Sequence, residues 1–139
     1  MIFVPPNTGE PLVAGIIGKI STDSTGGAYT VIELTLPAGG GAPLHTHQRE
    51  DEIFYILDGV CEVTCDGKTH LAEAGAMVVL PKHSLHAFRN VGDKPNRILI
   101  TAVPGGLDHY FAELAQIRND DPEAGQKVAD INARYQILF

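Results

Sequence analysis

A chain of 139 residues is long enough for one domain with one core and too short for two cores and a linker. Hydrophobic residues at 44% against 19% charged ones exclude a disordered chain, and a net charge of −7 opposes the long-range attraction that nucleic acid or an anionic membrane requires. Two cysteines, Cys61 and Cys65, exclude a disulfide scaffold; four apart in a strand, their Cα atoms lie roughly 13 Å from each other, beyond bridging reach.

The pattern starts after an N-terminal stretch with no basic residue before Lys19 and with Pro5 and Pro6 where a secretion signal would place its apolar segment, so a cytoplasmic chain is expected. Short apolar or alternating runs bounded by Gly, Pro, Asn and Asp then follow through residues 12–103, the signature of an all-β sandwich or barrel. They are residues 12–21, 29–36, 44–47, 52–58, 60–65, 68–72, 76–80, 86–90 and 96–103. Asp66-Gly67 is a two-residue hairpin signal, and Asp58-Gly59 is another tight turn. The longest apolar stretches, Leu12 to Ile17 and Ala76 to Leu80, fall far short of a membrane span. Past Pro104-Gly105-Gly106 the period changes. Leu107, Tyr110, Phe111, Leu114 and Ala115 form one amphipathic stripe, and a second helix is expected from Asp121 as N-cap with Pro122 at the first helical position, sharing Ala124, Val128, Ile131 and Tyr135 on a face. These helices, about residues 107–135, make a short appendix suited to covering a face or mouth of the β region.

The chemistry sits in the histidines. His45 and His47 are two apart, which in a strand puts both rings on one face with about 6.6 Å between Cα atoms, close enough to converge on one ion. The acidic cluster Glu50-Asp51-Glu52 opens the next apolar strand, so one of the three can point inward with them. His86 begins a later strand. Three imidazoles and one carboxylate suit Fe, Mn, Ni, Co or Zn as a divalent ion and leave two octahedral sites open; the absence of thiolate argues against a closed structural zinc site.

These residues resemble the cupin family. The first cupin motif is matched by Gly39, His45, His47, Glu52 and Gly59, and the second by Gly75, Pro81, His86 and Asn90, with His83 standing where the family has Gly. The resemblance implies a double-stranded β-helix, a jelly-roll barrel holding one divalent metal on His45, His47, Glu52 and His86. The six-residue count from Glu52 to Gly59 selects Glu52 as the ligand, leaving Glu50 and Asp51 as solvated loop charges. Strand parity then turns Phe54 and Ile56 inward with Glu52, and Phe88 and Asn90 inward with His86, so that Phe54, Ile56 and Phe88 line an apolar pocket. His83 is placed at its mouth, while His70 and His109 read as surface or packing residues.

The surrounding sequence looks like small cupins grouped with quercetin 2,3-dioxygenases. That implies a dioxygenase acting on a small enol, hydroxy-ketone or flavonol-like substrate bound to the metal, with Glu52 also accepting a proton. Two alternatives remain: a non-redox lyase, isomerase or cyclase, and a binding module without catalysis. The expected partners are a small molecule and a second copy of the chain, through the outward Ile53, Tyr55 and Leu57, with no nucleic acid and no membrane.

Overall fold

The structure is a computed structural model that describes residues 1–13 and 15–139. Residue 14, within the first expected strand, lies outside the described residues. Among the described residues, eleven strands and two α-helices follow in order: β1 (Glu10–Pro11), β2 (Ile16–Ile20), β3 (Thr30–Leu36), β4 (Gly41–His47), β5 (Asp51–Asp58), β6 (Val60–Cys65), β7 (Lys68–Glu73), β8 (Met77–Leu80), β9 (His86–Asn90), β10 (Asn96–Val103), α1 (Leu107–Leu114), α2 (Ala124–Tyr135) and β11 (Ile137–Leu138).

The strands form two antiparallel sheets, of order β1-β2-β3-β10-β5-β8 and β11-β4-β9-β6-β7. Among the described residues the hydrogen-bonded ladders of one sheet do not continue into the other, so the molecule is a two-sheet fold, and the expected closed barrel is reduced to this facing pair. The sheets exist because the sequence alternates. In β3, Thr30, Ile32, Leu34 and Leu36 are buried, and in β10 Asn96, Ile98, Ile100 and Ala102 are buried, each separated by a residue turned outward. The inner faces meet where Phe54 of β5 packs edge-on against Phe88 of β9, ring centroids 5.2 Å apart and planes at 87°.

Turn chemistry sets the strand boundaries. Asp66 and Gly67 both adopt positive φ, +48° and +78°, and link β6 to β7 with Cys65 paired to Lys68, the hairpin that an Asp-Gly pair favours. Gly59 (φ +77°) separates β5 from β6, and a Cβ there would lie 2.8 Å from Cβ of Asn96, so glycine is required by both conformation and space. At the far end of the sheets from the histidines, Asn90 is 1% exposed, and its amide donates to the carbonyls of Leu36 and Lys94 at 3.0 and 2.8 Å. Cys61 and Cys65 are free, and burial pushes the Cys61 thiol up to about 11, which keeps it protonated.

Three local expectations change. The first strand is shorter than residues 12–21, because β1 and β2 form a small hairpin pairing Glu10 with Gly18. The β4 strand begins earlier, at Gly41, and carries an irregularity between Ala42 and His45 that accommodates Pro43, a residue with no N–H to give a ladder. The second helix starts at Ala124 with Glu123 as N-cap. Asp121 instead closes a turn ahead of it, accepting the Glu123 N–H at 2.9 Å, because a short Asp side chain competes for the backbone two residues on. Of the expected helical stripes, Leu107, Tyr110 and Ile131 are buried, whereas Ala115 lies beyond α1 and is exposed and Val128 is 36% exposed.

The appendix is pinned by Asp108, in the first turn of α1, where the N-terminal end of the helix dipole favours an anion. Its carboxylate accepts the Thr22 backbone N–H at 2.9 Å and the Thr22 hydroxyl. Burial alone would raise the Asp108 pKa, but these two hydrogen bonds outweigh it and hold the group below its ordinary value. A depressed carboxylate contributes stability that is complete above its unfolded pKa of ~3.9 and is lost as pH falls through the lower folded value. Asp108→Asn is therefore expected to cost about 2 kcal/mol in urea unfolding at neutral pH, and the difference from the parent should shrink below about pH 4.

Candidate metal centre

The four residues that the resemblance implies come together between the sheets. His45 and His47 project from β4 and His86 from β9, paired across the ladder with His45, so all three imidazoles belong to one sheet. Glu52 comes from β5 of the other sheet. One ligand atom from each of the four lies within 4.8 Å of all the others, and all four residues are buried. His86 Nε2 is 3.1 Å and His47 Nε2 3.5 Å from Glu52 Oε2.

The tautomers follow from the neighbours. His45 Nδ1 is 2.7 Å from the carbonyl of Pro43, and His86 Nδ1 is 3.2 Å from that of Ser84. A carbonyl only accepts, so each Nδ1 carries the proton and each Nε2 turns a lone pair toward the centre. Burial pushes the His45 pKa down to about 4, more than the Pro43 hydrogen bond and Glu52 restore, so the ring is neutral at pH 7. His47 is also opposed by burial, yet the Glu50 and Glu52 carboxylates outweigh it and raise its pKa. Burial would keep Glu52 neutral, but the imidazoles of His86 and His47 hold it below the usual carboxylate value. Glu52 Oε2 and His86 Nε2 are buried without a hydrogen-bond partner. Acceptors this close, each costing about 1–3 kcal/mol when unsatisfied, fit a divalent cation placed among them.

Glu50, read from the sequence as a solvated loop charge, is corrected: it is 2% exposed. Its Oε2 lies 3.8 Å from His47 Nδ1, on the side of the ring opposite Glu52. The i,i+3 spacing from His47 was the available signal, obscured because three acidic residues stand in a row. Asp51 does stay near the surface, accepting the Lys82 N–H at 2.8 Å.

A cavity of ≈ 90 Å³ adjoins the cluster and is lined by His45, His47 and Glu52 together with carbon-rich walls. Phe88 lines it. Phe54 and Ile56 do not: both are 0% exposed and sit in the core beneath, where Phe54 supports Phe88. His83 is outside the cavity too. It is exposed, with φ +70°, its N–H donating to the His47 carbonyl at 2.7 Å and its Nδ1 3.0 Å from Gln48 Oε1. That left-handed conformation explains why the family motif has Gly here, and the two hydrogen bonds offset the strain that a histidine incurs.

The rest of the wall comes from the C-terminal segment. Leu107, Tyr110 and Phe111 of α1 contribute, as do Ile137 and Phe139 around β11. Strand β11 was missed because two residues after a helix are too few for a period; it pairs Ile137 with His47 and Leu138 with Thr46. Gln136, left-handed at φ +57°, ends α2 and turns the chain back toward β4. The Phe139 ring then stacks on His45 with centroids 5.2 Å apart and planes 18° from parallel.

The cupin domain family model matches residues 32–103, more than half of the chain. The chain belongs to the cupin family. Among relatives of this cupin, Protein SchB of Streptomyces halstedii is 30% identical over 104 residues, covering 73% of this chain and 72% of SchB. Quercetin 2,3-dioxygenase of Bacillus subtilis is 28% identical over 91 residues, covering 66% of this chain and 27% of the dioxygenase. Several curated relatives are thus much longer than the stretch matched, and the chain spans between 17% and 60% of the first five. In fold it is similar to a predicted oxalate decarboxylase from Thermotoga maritima, with TM-score 0.66 and 21% identity over 74% of this chain and 99% of that one.

The position of Glu50 generates a test. Glu50→Ala is expected to weaken zinc or cobalt binding about 10- to 100-fold, and Glu50→Gln less, because a carboxylate behind a ligating imidazole fixes its orientation and raises its basicity. Competition with a chromophoric chelator measures this, and unchanged affinity in Glu50→Ala would show that His47 needs no such support.

Proposed function

We propose that this cupin is a metal-dependent enzyme of dioxygenase type, acting on a small enol or hydroxy-ketone that ligates the metal. The observation that carries the reading is the buried three-histidine, one-glutamate cluster opening onto an apolar cavity. His45, His47, Glu52 and His86 would hold the ion, with Fe, Mn, Ni, Co or Zn all suited to this nitrogen and oxygen set. A divalent ion bound there supplies Lewis acidity that lowers the pKa of a ligating hydroxyl. Glu52, which lines the cavity, would ligate through Oε2 and take that proton on its other carboxylate oxygen. The carbonyls of Pro43 and Ser84 keep the His45 and His86 rings turned inward, and the walls of Phe88, Leu107 and Ile137 exclude water from the reacting atoms.

Similarity to the Bacillus subtilis dioxygenase supports oxygen as co-substrate. Cavity size favours a small substrate over a flavonol, since ≈ 90 Å³ is the liquid volume of about three water molecules. A homodimer is part of the same reading. Tyr55 pairs with Met77 and Ile53 with Val79 on the outer face of β5 and β8, and Tyr55, Met77 and Val79 are exposed together.

Elemental analysis of protein purified without added metal, followed by oxygen-electrode assays of the iron-, manganese- and nickel-loaded forms, tests the proposal. Oxygen uptake with small enols and hydroxy-ketones is expected, and Glu52→Gln should abolish it. Turnover under strictly anaerobic conditions would replace this reading with a lyase or isomerase, and absence of uptake with every such substrate would overturn the dioxygenase.

A further inference from the structure

The cavity walls carry information about the substrate beyond its ligating group. Of the side chains lining the cavity among the described residues, those with polar atoms are the three cluster members His45, His47 and Glu52, and Tyr110. Tyr110 offers its ring, because its hydroxyl is engaged with Asn132 Oδ1 at 2.9 Å on α2. Among the described residues no Lys or Arg lines the cavity. The basic residues nearest the motifs in sequence are elsewhere: Arg49 and Lys82 are exposed, and Arg89 faces away from His86 and pairs with Glu62 at 3.2 Å. A carboxylate or phosphate at the far end of a substrate would therefore lose its water and find no partner.

The outer limit is set by the chain itself. Phe139 stacks on His45 at the edge of the cavity while the other side of its residue faces solvent, at 66% exposure. It is carried on β11, whose two residues pair with Thr46 and His47, so its position is tied to the strand that bears two of the cluster histidines.

Resting on the proposed function, we propose that the cavity selects a small chelating molecule whose metal-binding head is its only polar part, with a short hydrocarbon tail whose length is limited by Phe139. The apolar walls reward each methylene they cover, the lack of a counter-charge rejects an ionised tail, and the aromatic wall rejects a long one.

Hydroxamates test this without reliance on turnover, because one chelating head can carry different tails. Cobalt-loaded protein would be titrated with acetohydroxamate, butanohydroxamate, octanohydroxamate and succinate monohydroxamate, following heat and the visible cobalt spectrum. Affinity should rise about fourfold per methylene from acetohydroxamate to butanohydroxamate. Succinate monohydroxamate, matched in length but ionised at its end, should bind at least about tenfold more weakly than butanohydroxamate. Octanohydroxamate should also bind about tenfold more weakly, and Phe139→Ala should restore it. Equal binding of the ionised and apolar tails, or of the long and short ones, would overturn the selectivity and leave the metal-dependent function standing; octanohydroxamate binding unchanged by Phe139→Ala would overturn the role of that ring. A cobalt-loaded protein whose spectrum no hydroxamate alters would overturn the selectivity and the open coordination site together.

Discussion

Three imidazoles and a carboxylate face one another across the gap between two sheets, and Glu52 Oε2 and His86 Nε2 lie there without a hydrogen-bond partner. Each His45 and His86 ring has already committed its N–H outward, to a backbone carbonyl, so the inner nitrogens can only accept. Such an arrangement is unfavourable by itself in a dry interior and becomes favourable when a cation fills it. Because the imidazoles belong to one sheet and the carboxylate to the other, the same cation would also draw the two sheets together at this end. At the other end Asn90 does comparable work with hydrogen bonds to loop carbonyls, and between them Phe54 and Phe88 supply the contact.

Much of this was legible in the residues because strands translate spacing into direction. His45 and His47 share a face for the reason that Ile32, Leu34 and Leu36 do, and the parity that turns Glu52 inward also turns Tyr55 outward. The limits of the same rule show at Phe54 and Ile56. Parity places a side chain on a face without fixing its depth, and these two point inward into the core rather than onto the cavity. Glu50 was hidden for a different reason, since it precedes β5 and no strand period governs it; only the fold back toward His47 buries it. His83, expected at the pocket mouth, sits in a left-handed turn where its N–H donates to the His47 carbonyl.

The helical appendix links stability to the site. Asp108 fastens α1 to Thr22, Tyr110 reaches α2 through Asn132, and α2 delivers β11 to the strand that carries His45 and His47. Elements whose amphipathic pattern suggested simple cover therefore form the cavity wall. Their contribution was unreadable from periodicity because the decisive part, Ile137 to Phe139, is a short segment that becomes a strand only by pairing with β4.

The convergence of the four side chains on one cation is most directly tested by X-ray absorption on the zinc-loaded protein. The account predicts a nitrogen and oxygen shell near 2.0–2.1 Å with outer scattering from three imidazoles. A sulfur shell near 2.3 Å, or a sphere with a single imidazole, would contradict it.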